Sequence, residues 1–118
     1  MTDAPQPTPM NPAGVQKAEI TDARGRKIVI RKLNALDRLN LFEVLGAELS
    51  GNAIYVGYSL SAASVVSIDG QPMGLPARIS DIKIAVKLLD DDGLEAVSRG
   101  YQEHFSKGET GDLDAIKN

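Results

Sequence analysis

The residues with the most chemical potential are an acidic run, Asp90-Asp91-Asp92-Gly93, and a single histidine, His104. Neighbouring carboxylates suggest a calcium loop, but an EF-hand loop places a bidentate glutamate at its twelfth position. Counted from Asp90, the twelfth residue is Tyr101, so the pattern fails and an acidic turn between two helices is the better interpretation. His104 has no cysteine and no second histidine with which it could bind a metal.

Other reaction types lack their residues as well. The absence of cysteine excludes disulfides, thiolate metal sites and cysteine nucleophiles. The sequence contains no Walker phosphate loop and no dinucleotide-binding fingerprint. Asp37 and Glu43 face different sides of a predicted helix, which makes them a poor acid–base pair. We therefore expect no enzymatic activity, no cofactor and no metal.

Length and composition bound the organisation of the chain. Its 118 residues suffice for one domain, and with 4% aromatic residues and no tryptophan the core must be aliphatic. Prolines and low apolar content predict a flexible leader at residues 1–14, and glycines and charges predict a flexible tail at residues 106–118. Residues 15–105 are then a single domain. No secretory signal and no apolar run long enough to span a bilayer is present, so we expect a cytoplasmic protein.

A hairpin that leads into a helix organises this domain. Residues 18–21 and 26–33 read as strands, and Asp22-Ala23-Arg24-Gly25 reads as their turn, with Gly25 at positive φ. Ile28 and Ile30 share one strand face. Asn34 is the expected N-cap of a helix over residues 35–50, which Gly51 ends from a C′-like position.

The apolar surface of this helix is wider than one stripe. One row at i+3 and i+4 spacing contains Leu36, Leu39, Phe42, Leu45 and Leu49. Leu41 and Val44 fall outside the row. Central burial and a subunit or partner interface both explain so wide a surface, and the sequence leaves the two interpretations open.

The rest of the domain predicts an α+β fold with about four helices. Residues 52–64 fit either a strand or a helix, and their small residues and length favour the helix. Asp69-Gly70 predicts a second, short hairpin between strands 65–68 and 71–73. Two further helices are expected over residues 81–89, with Ser80 as N-cap, and over residues 94–105.

Basic residues concentrate in the second strand of the first hairpin. They are Arg24, Arg26, Lys27, Arg31 and Lys32. One interpretation is a patch for nucleic acid or an acidic partner. The other is a solvated edge strand, protected by its charges from aggregation. The second is favoured, because no aromatic residues alternate with these charges and the net charge of the chain is −3.

The order of these segments resembles the tail assembly chaperones of long-tailed bacteriophages. The resemblance runs from about residue 15 to residue 101 and rests on three stretches: ITDARGRKIVIRKLNALDRLNLFEVLG, VVSIDGQPMGLP and DIKIAVKLLDDDGLEAV. Members of this family are small proteins that bind the long tape measure protein and keep it soluble until tail tube subunits polymerise around it. The resemblance therefore implies a non-enzymatic chaperone whose client is the tape measure protein, with the tail tube protein as a second candidate partner.

Such a chaperone needs exposed apolar surface and a way to self-associate, so we expect a homo-oligomer. The candidate surface for self-association or client binding consists of Leu41, Phe42, Val44, Leu45, Ile54, Tyr55 and Tyr58. Two alternatives remain: a nucleic-acid-binding or regulatory module that uses the basic strand, and a minor structural tail or connector protein. Nucleic acid is the less favoured partner, and no membrane association is expected.

Overall fold

Strands and helices occur in blocks along residues 16–106, the part of the chain that the computed structural model describes. The strands are β1 (Lys17–Thr21), β2 (Lys27–Arg31), β3 (Val65–Ile68) and β4 (Gln71–Pro72). The helices are α1 (Ala35–Ser50), α2 (Ala53–Ser64) and α3 (Ile79–Tyr101), and a π-helical turn, Gln102–Ser106, follows α3. The fold is α+β, as predicted. The proposed leader, and the proposed tail beyond residue 106, lie outside the described residues.

The four strands form one antiparallel sheet in the order β1-β2-β3-β4. Strand β2 therefore lies inside the sheet, with β1 on one side and β3 on the other. The interpretation of the basic strand as an edge strand is wrong. Its second neighbour, β3, follows two helices later in the chain, so no local sequence pattern could reveal the pairing.

Both predicted turns are confirmed. Gly25 has a φ of +80°, and its N–H donates to the carbonyl oxygen of Asp22 at 2.9 Å. Asp69 and Gly70 both have positive φ, 49° and 82°, as the tight turn of a two-residue hairpin requires. These turns explain why the strand pairs on either side of them are predictable from sequence.

Helix α1 begins as predicted, but its interior differs from an ideal helix. Asn34 and Asp37 form a reciprocal capping box, in which each side chain accepts the other residue's backbone N–H, at 2.7 and 3.1 Å. The helix ends before Gly51, which has a right-handed φ of −87° rather than the left-handed one expected of a C′ glycine. The left-handed glycine is Gly46, whose φ of 82° breaks the helix internally.

Helix α2 confirms the helical interpretation of residues 52–64. Asn52 is its N-cap, and the Asn52 side chain accepts the backbone N–H of Tyr55 at 3.1 Å.

Helix α3 combines the last two predicted helices, so the described chain has three α-helices rather than about four. Asp90, with φ 57° and ψ −170°, interrupts α3 where the acidic turn was expected. Ser80 is not the N-cap, because α3 already starts after Arg78. The Asp81 carboxylate instead accepts the backbone N–H of Ala77 at 3.0 Å.

The core consists of two apolar clusters. The first lies between the sheet and α3 with the turn that follows it. It contains Ile28, Ile30, Val65, Leu89, Val97 and Phe105. The second joins the three helices and contains Leu33, Leu41, Leu45, Ala63 and Ile82. Tyr101 packs against both, and its hydroxyl oxygen accepts the backbone N–H of Leu33 at 3.0 Å. Within residues 16–106, no helix has the combined length and hydropathy needed to cross a membrane.

Candidate protein-binding surface on the second helix

The most exposed large apolar side chain of the described residues is Ile54, at 74%. Tyr58, one helical turn later on the same face of α2, is 52% exposed. We call these two residues the α2 ridge. Exposed apolar side chains that form a contiguous patch are a feature of protein-binding surfaces.

The opposite face of α2 holds the ridge in place. Ser59, Ala62 and Ala63 are buried, so α2 packs closely on the rest of the molecule through small side chains. The Ser59 hydroxyl is satisfied locally, because it donates to the carbonyl oxygen of Tyr55 at 2.8 Å. Burial of one face therefore forces the ridge towards solvent.

An open groove lies along each side of the ridge, and Ile54 and Tyr58 line both. One groove, of about 480 Å³, lies between α2 and the first half of α3. Its walls are mostly apolar, and the exposed Lys83 and Lys87 also line it. We call it the basic groove.

The second groove, of about 610 Å³, lies between α2 and the second half of α3. The exposed carboxylates of Asp91 and Glu95 line it, together with Leu94 and the exposed Gly57. We call it the acidic groove. Residues before the break at Asp90 thus line one groove, and residues after it line the other.

The structure separates the sequence-predicted surface residues into two groups. Leu41 and Leu45 are 3% and 5% exposed and belong to the helix cluster of the core, so their assignment to a partner surface is wrong. Phe42 and Val44 are partly buried against the same cluster.

Central burial therefore explains most of the apolar surface of α1. The face that is buried, however, differs from the row of residues that was predicted. Leu36 and Leu39, placed in that row, are 62% and 59% exposed. A helix that is apolar around most of its circumference has no unique inner face until its neighbours are in position.

In α2, Ile54 and Tyr58 are exposed as a binding surface requires, and Tyr55 is intermediate. Tyr55 packs partly against the helix cluster and lines the basic groove. The sequence prediction missed the charged groove residues on α3. The sequence pattern that could have revealed them is the repetition of like charge at i,i+4 spacing, Lys83 with Lys87 and Asp91 with Glu95.

The arginines of the basic strand bond within the protein. Arg24 pairs with Asp90 at 2.7 Å and with Asp92 at 3.1 Å. Arg31 donates to the carbonyl oxygens of Ala63 and Val65 at 3.4 and 3.3 Å.

The two lysines of this strand differ in exposure, and the backbone of each is hydrogen-bonded. Lys27 is exposed, and its backbone N–H donates to the Asp69 carboxylate at 2.8 Å. Lys32 is half-buried, and its backbone N–H donates to the carbonyl oxygen of Gln16 at 2.8 Å.

Arg26 makes the most extensive set of these contacts. Its guanidinium donates to the Asp22 carboxylate at 2.8 Å and to the carbonyl oxygens of Leu88 and Leu89 at 2.7 Å each. The two carbonyls stand just before the break at Asp90, where helical hydrogen bonding is interrupted. We call this set of contacts the Arg26 clamp.

Asp22 is buried, and its charge is maintained by hydrogen bonds. Burial by itself raises the pKa of this carboxyl group. The backbone N–H and side chain of Arg26, at 2.9 and 2.8 Å, and the backbone N–H of Arg24, at 3.0 Å, outweigh that effect. The pKa of Asp22 therefore lies below its ordinary value.

The acidic run has a structural role in the described chain. The hydrogen bond from Arg24 is the main reason that the pKa of Asp90 is lowered. Residues 16–106 contain no group of three or more His, Cys, Asp or Glu side chains arranged to hold a metal ion. His104 is exposed, with its ring 6.3 Å from that of Phe105.

Comparisons of this chain with protein-family models, with curated proteins and with solved structures find no match.

Proposed function

We propose that this chain is a non-enzymatic tail assembly chaperone of a long-tailed bacteriophage. It binds the tape measure protein in the host cytoplasm and keeps it soluble until the tail tube polymerises around it. The α2 ridge with its two grooves is the observation that carries the proposal, and the family resemblance of the sequence supports it.

The surface has the chemistry of a helix-binding site. A ridge between two grooves can seat the side chains of an amphipathic helix, which inserts apolar residues at i, i+3 and i+4 spacing. Tyr55, Ile82 and Val86 provide apolar contact in the basic groove. Lys83 and Lys87 then favour a client segment with acidic residues beside its apolar face.

Nucleic-acid binding through the basic strand has less support. Three of its five basic side chains, those of Arg24, Arg26 and Arg31, already donate to acceptors within the domain. To bind phosphate, these arginines would have to give up their bonds within the domain. For Arg26, this would break the clamp that links the first hairpin to α3. The remaining alternative is a minor virion protein. Such a protein would be found in purified phage particles, whereas an assembly chaperone is absent from finished particles.

The proposal is tested by co-expressing this chain with the tape measure protein of the same phage. The chaperone is expected to move the tape measure protein from the insoluble to the soluble fraction and to co-purify with it. A tape measure protein that stays insoluble, or that is equally soluble alone, would overturn the proposal.

Variants locate the client surface. Ile54→Asp and Tyr58→Asp are expected to reduce the co-purified client by about tenfold or more, because a charge on the ridge must be desolvated on binding. Ile84→Asp is the matched control, since Ile84 is 57% exposed and lines neither groove. Circular dichroism first confirms that each variant is folded. Equal client recovery by all three variants would exclude the ridge as the client surface.

A further inference from the structure

Opposite charges flank the α2 ridge. Lys83 and Lys87 line the groove on one side, and Asp91 and Glu95 line the groove on the other. All four side chains belong to exposed residues. The surface is therefore apolar along its centre, positive on one side and negative on the other.

This pattern is complementary to itself in one orientation. When two copies meet ridge to ridge about a two-fold axis parallel to α2, the basic groove of each copy faces the acidic groove of the other. When the axis lies in the interface but perpendicular to α2, basic faces basic and acidic faces acidic. Charge complementarity thus selects the parallel arrangement.

The shape of the surface permits close approach. Gly57 lies next to the ridge, and a Cβ added there would meet no heavy atom within 4 Å. The half-buried Ser61 lines the same groove one turn later. Small side chains at both positions let the backbone of a second α2 approach this surface closely.

We propose that a second copy of this chain covers the α2 ridge in a parallel two-fold dimer, in which the lysines of the basic groove of each copy face the carboxylates of the acidic groove of the other. If the proposed function is correct, pairing hides the surface that the client needs. Self-pairing and client binding then exclude each other, and the dimer protects the ridge until a client displaces one copy.

Sedimentation equilibrium of the purified chain, without any client, tests the dimer. The parent is expected to dimerise at concentrations below about 100 µM. Lys87→Glu and Glu95→Lys each introduce, on both sides of the two-fold axis, a charge of the same sign as those of the groove that it faces, and each is expected to weaken the dimer by about tenfold at low salt. An equimolar mixture of these two variants is expected to form a heterodimer, and the double variant K87E/E95K is expected to regain the dimer.

Three results would overturn the dimer proposal. One is a monomeric parent over this concentration range. Another is a double variant that, although folded by circular dichroism, dimerises no better than the single variants. The third is a Lys87→Glu variant that pairs preferentially with the parent. That result is expected for the perpendicular axis, in which the new glutamate would face the basic groove of the parent. Client capture is measured separately, so a chain that dimerises but holds no tape measure protein refutes the proposed function and leaves the dimer standing.

Discussion

Replacing Arg26 with alanine is expected to destabilise the fold more than the loss of any other basic side chain of this strand. The substitution removes the contacts from the guanidinium to Asp22 and to the carbonyl oxygens of Leu88 and Leu89. The Asp22 side chain, which is 0% exposed, would keep its negative charge with only backbone N–H donors left.

The magnitude follows from these contacts. A hydrogen bond to a charged group contributes about 1.5–3 kcal/mol, and a buried charge that loses its partner costs more. Water replaces part of the loss, because the Arg26 side chain is 19% exposed and its bond to Leu88 lies at the surface. We expect the free energy of unfolding to fall by about 2–3 kcal/mol, which lowers the melting temperature of a domain this size by about 10–20 °C.

Urea and thermal unfolding followed by far-UV circular dichroism measure the loss. Arg24→Ala is the matched control, because Arg24 lies in the same turn but its ion pairs with Asp90 and Asp92 are exposed. Its effect is expected to be small and to shrink as salt is added. Arg26→Lys should fall between the parent and Arg26→Ala, since an ammonium group cannot reproduce the planar fork of contacts.

Equal losses for Arg26→Ala and Arg24→Ala would refute this reasoning. Such a result would mean that the Arg26 clamp contributes no more than an exposed ion pair. A double-mutant cycle with Asp22→Asn then separates the coupling between the two side chains from the contacts to the α3 carbonyls.

Two further predictions concern acid stability and packing. Because the pKa of Asp22 is lower in the folded chain than its ordinary value of 3.8, its stabilising effect is complete above about pH 5 and is lost as the pH falls through the folded-state value. Asp22→Asn should therefore flatten the fall of unfolding free energy in acid, and a urea titration series that shows an unchanged slope would contradict the assignment. Gly100→Ala should cost about 1–3 kcal/mol, because its Cβ would lie 2.7 Å from Cγ2 of Ile20. Gly57→Ala, a helical control with open space around the new methyl group, should be neutral or stabilising by up to about 1 kcal/mol, and equal thermal shifts for the two would contradict the packing of α3 on β1.

Features that depend on near neighbours could be predicted from the sequence. The positive φ of Gly25, the N-cap at Asn34 and the turn at Asp69-Gly70 each involve residues at most a few positions apart. The helical state of residues 53–64 was also predictable, because small residues and length outweighed a partial strand pattern. Such interactions join residues that are close together in the chain, so the residue types at those positions are sufficient to predict them.

The inner face of α1 could not be predicted in this way. Leu41 is buried and Leu39 is exposed, although both are leucines two positions apart. Apolar residues occupy most of the circumference of α1, so its own periodicity does not select a face. Contacts of Leu41 and Leu45 with the helix cluster of the core decide the rotation of α1 about its axis.

The role of the basic strand was also decided by distant residues. The partners of Arg24 and Arg26 on α3 are 62 to 68 positions later in the chain. A charge cluster viewed without these partners resembles a binding patch, whereas in the folded chain it holds the first hairpin against the break in α3.

The candidate surface likewise combines a feature that could be predicted from the sequence with features that only the tertiary structure decided. The sequence by itself determined that Ile54 and Tyr58 share one face of a helix, because residues four apart lie one turn apart. Only the tertiary structure decided that this face stays exposed and that lysines flank it on one side and carboxylates on the other. The physical reason is the break at Asp90: residues before it line one groove and residues after it line the other, which separates charges that are close together in the sequence.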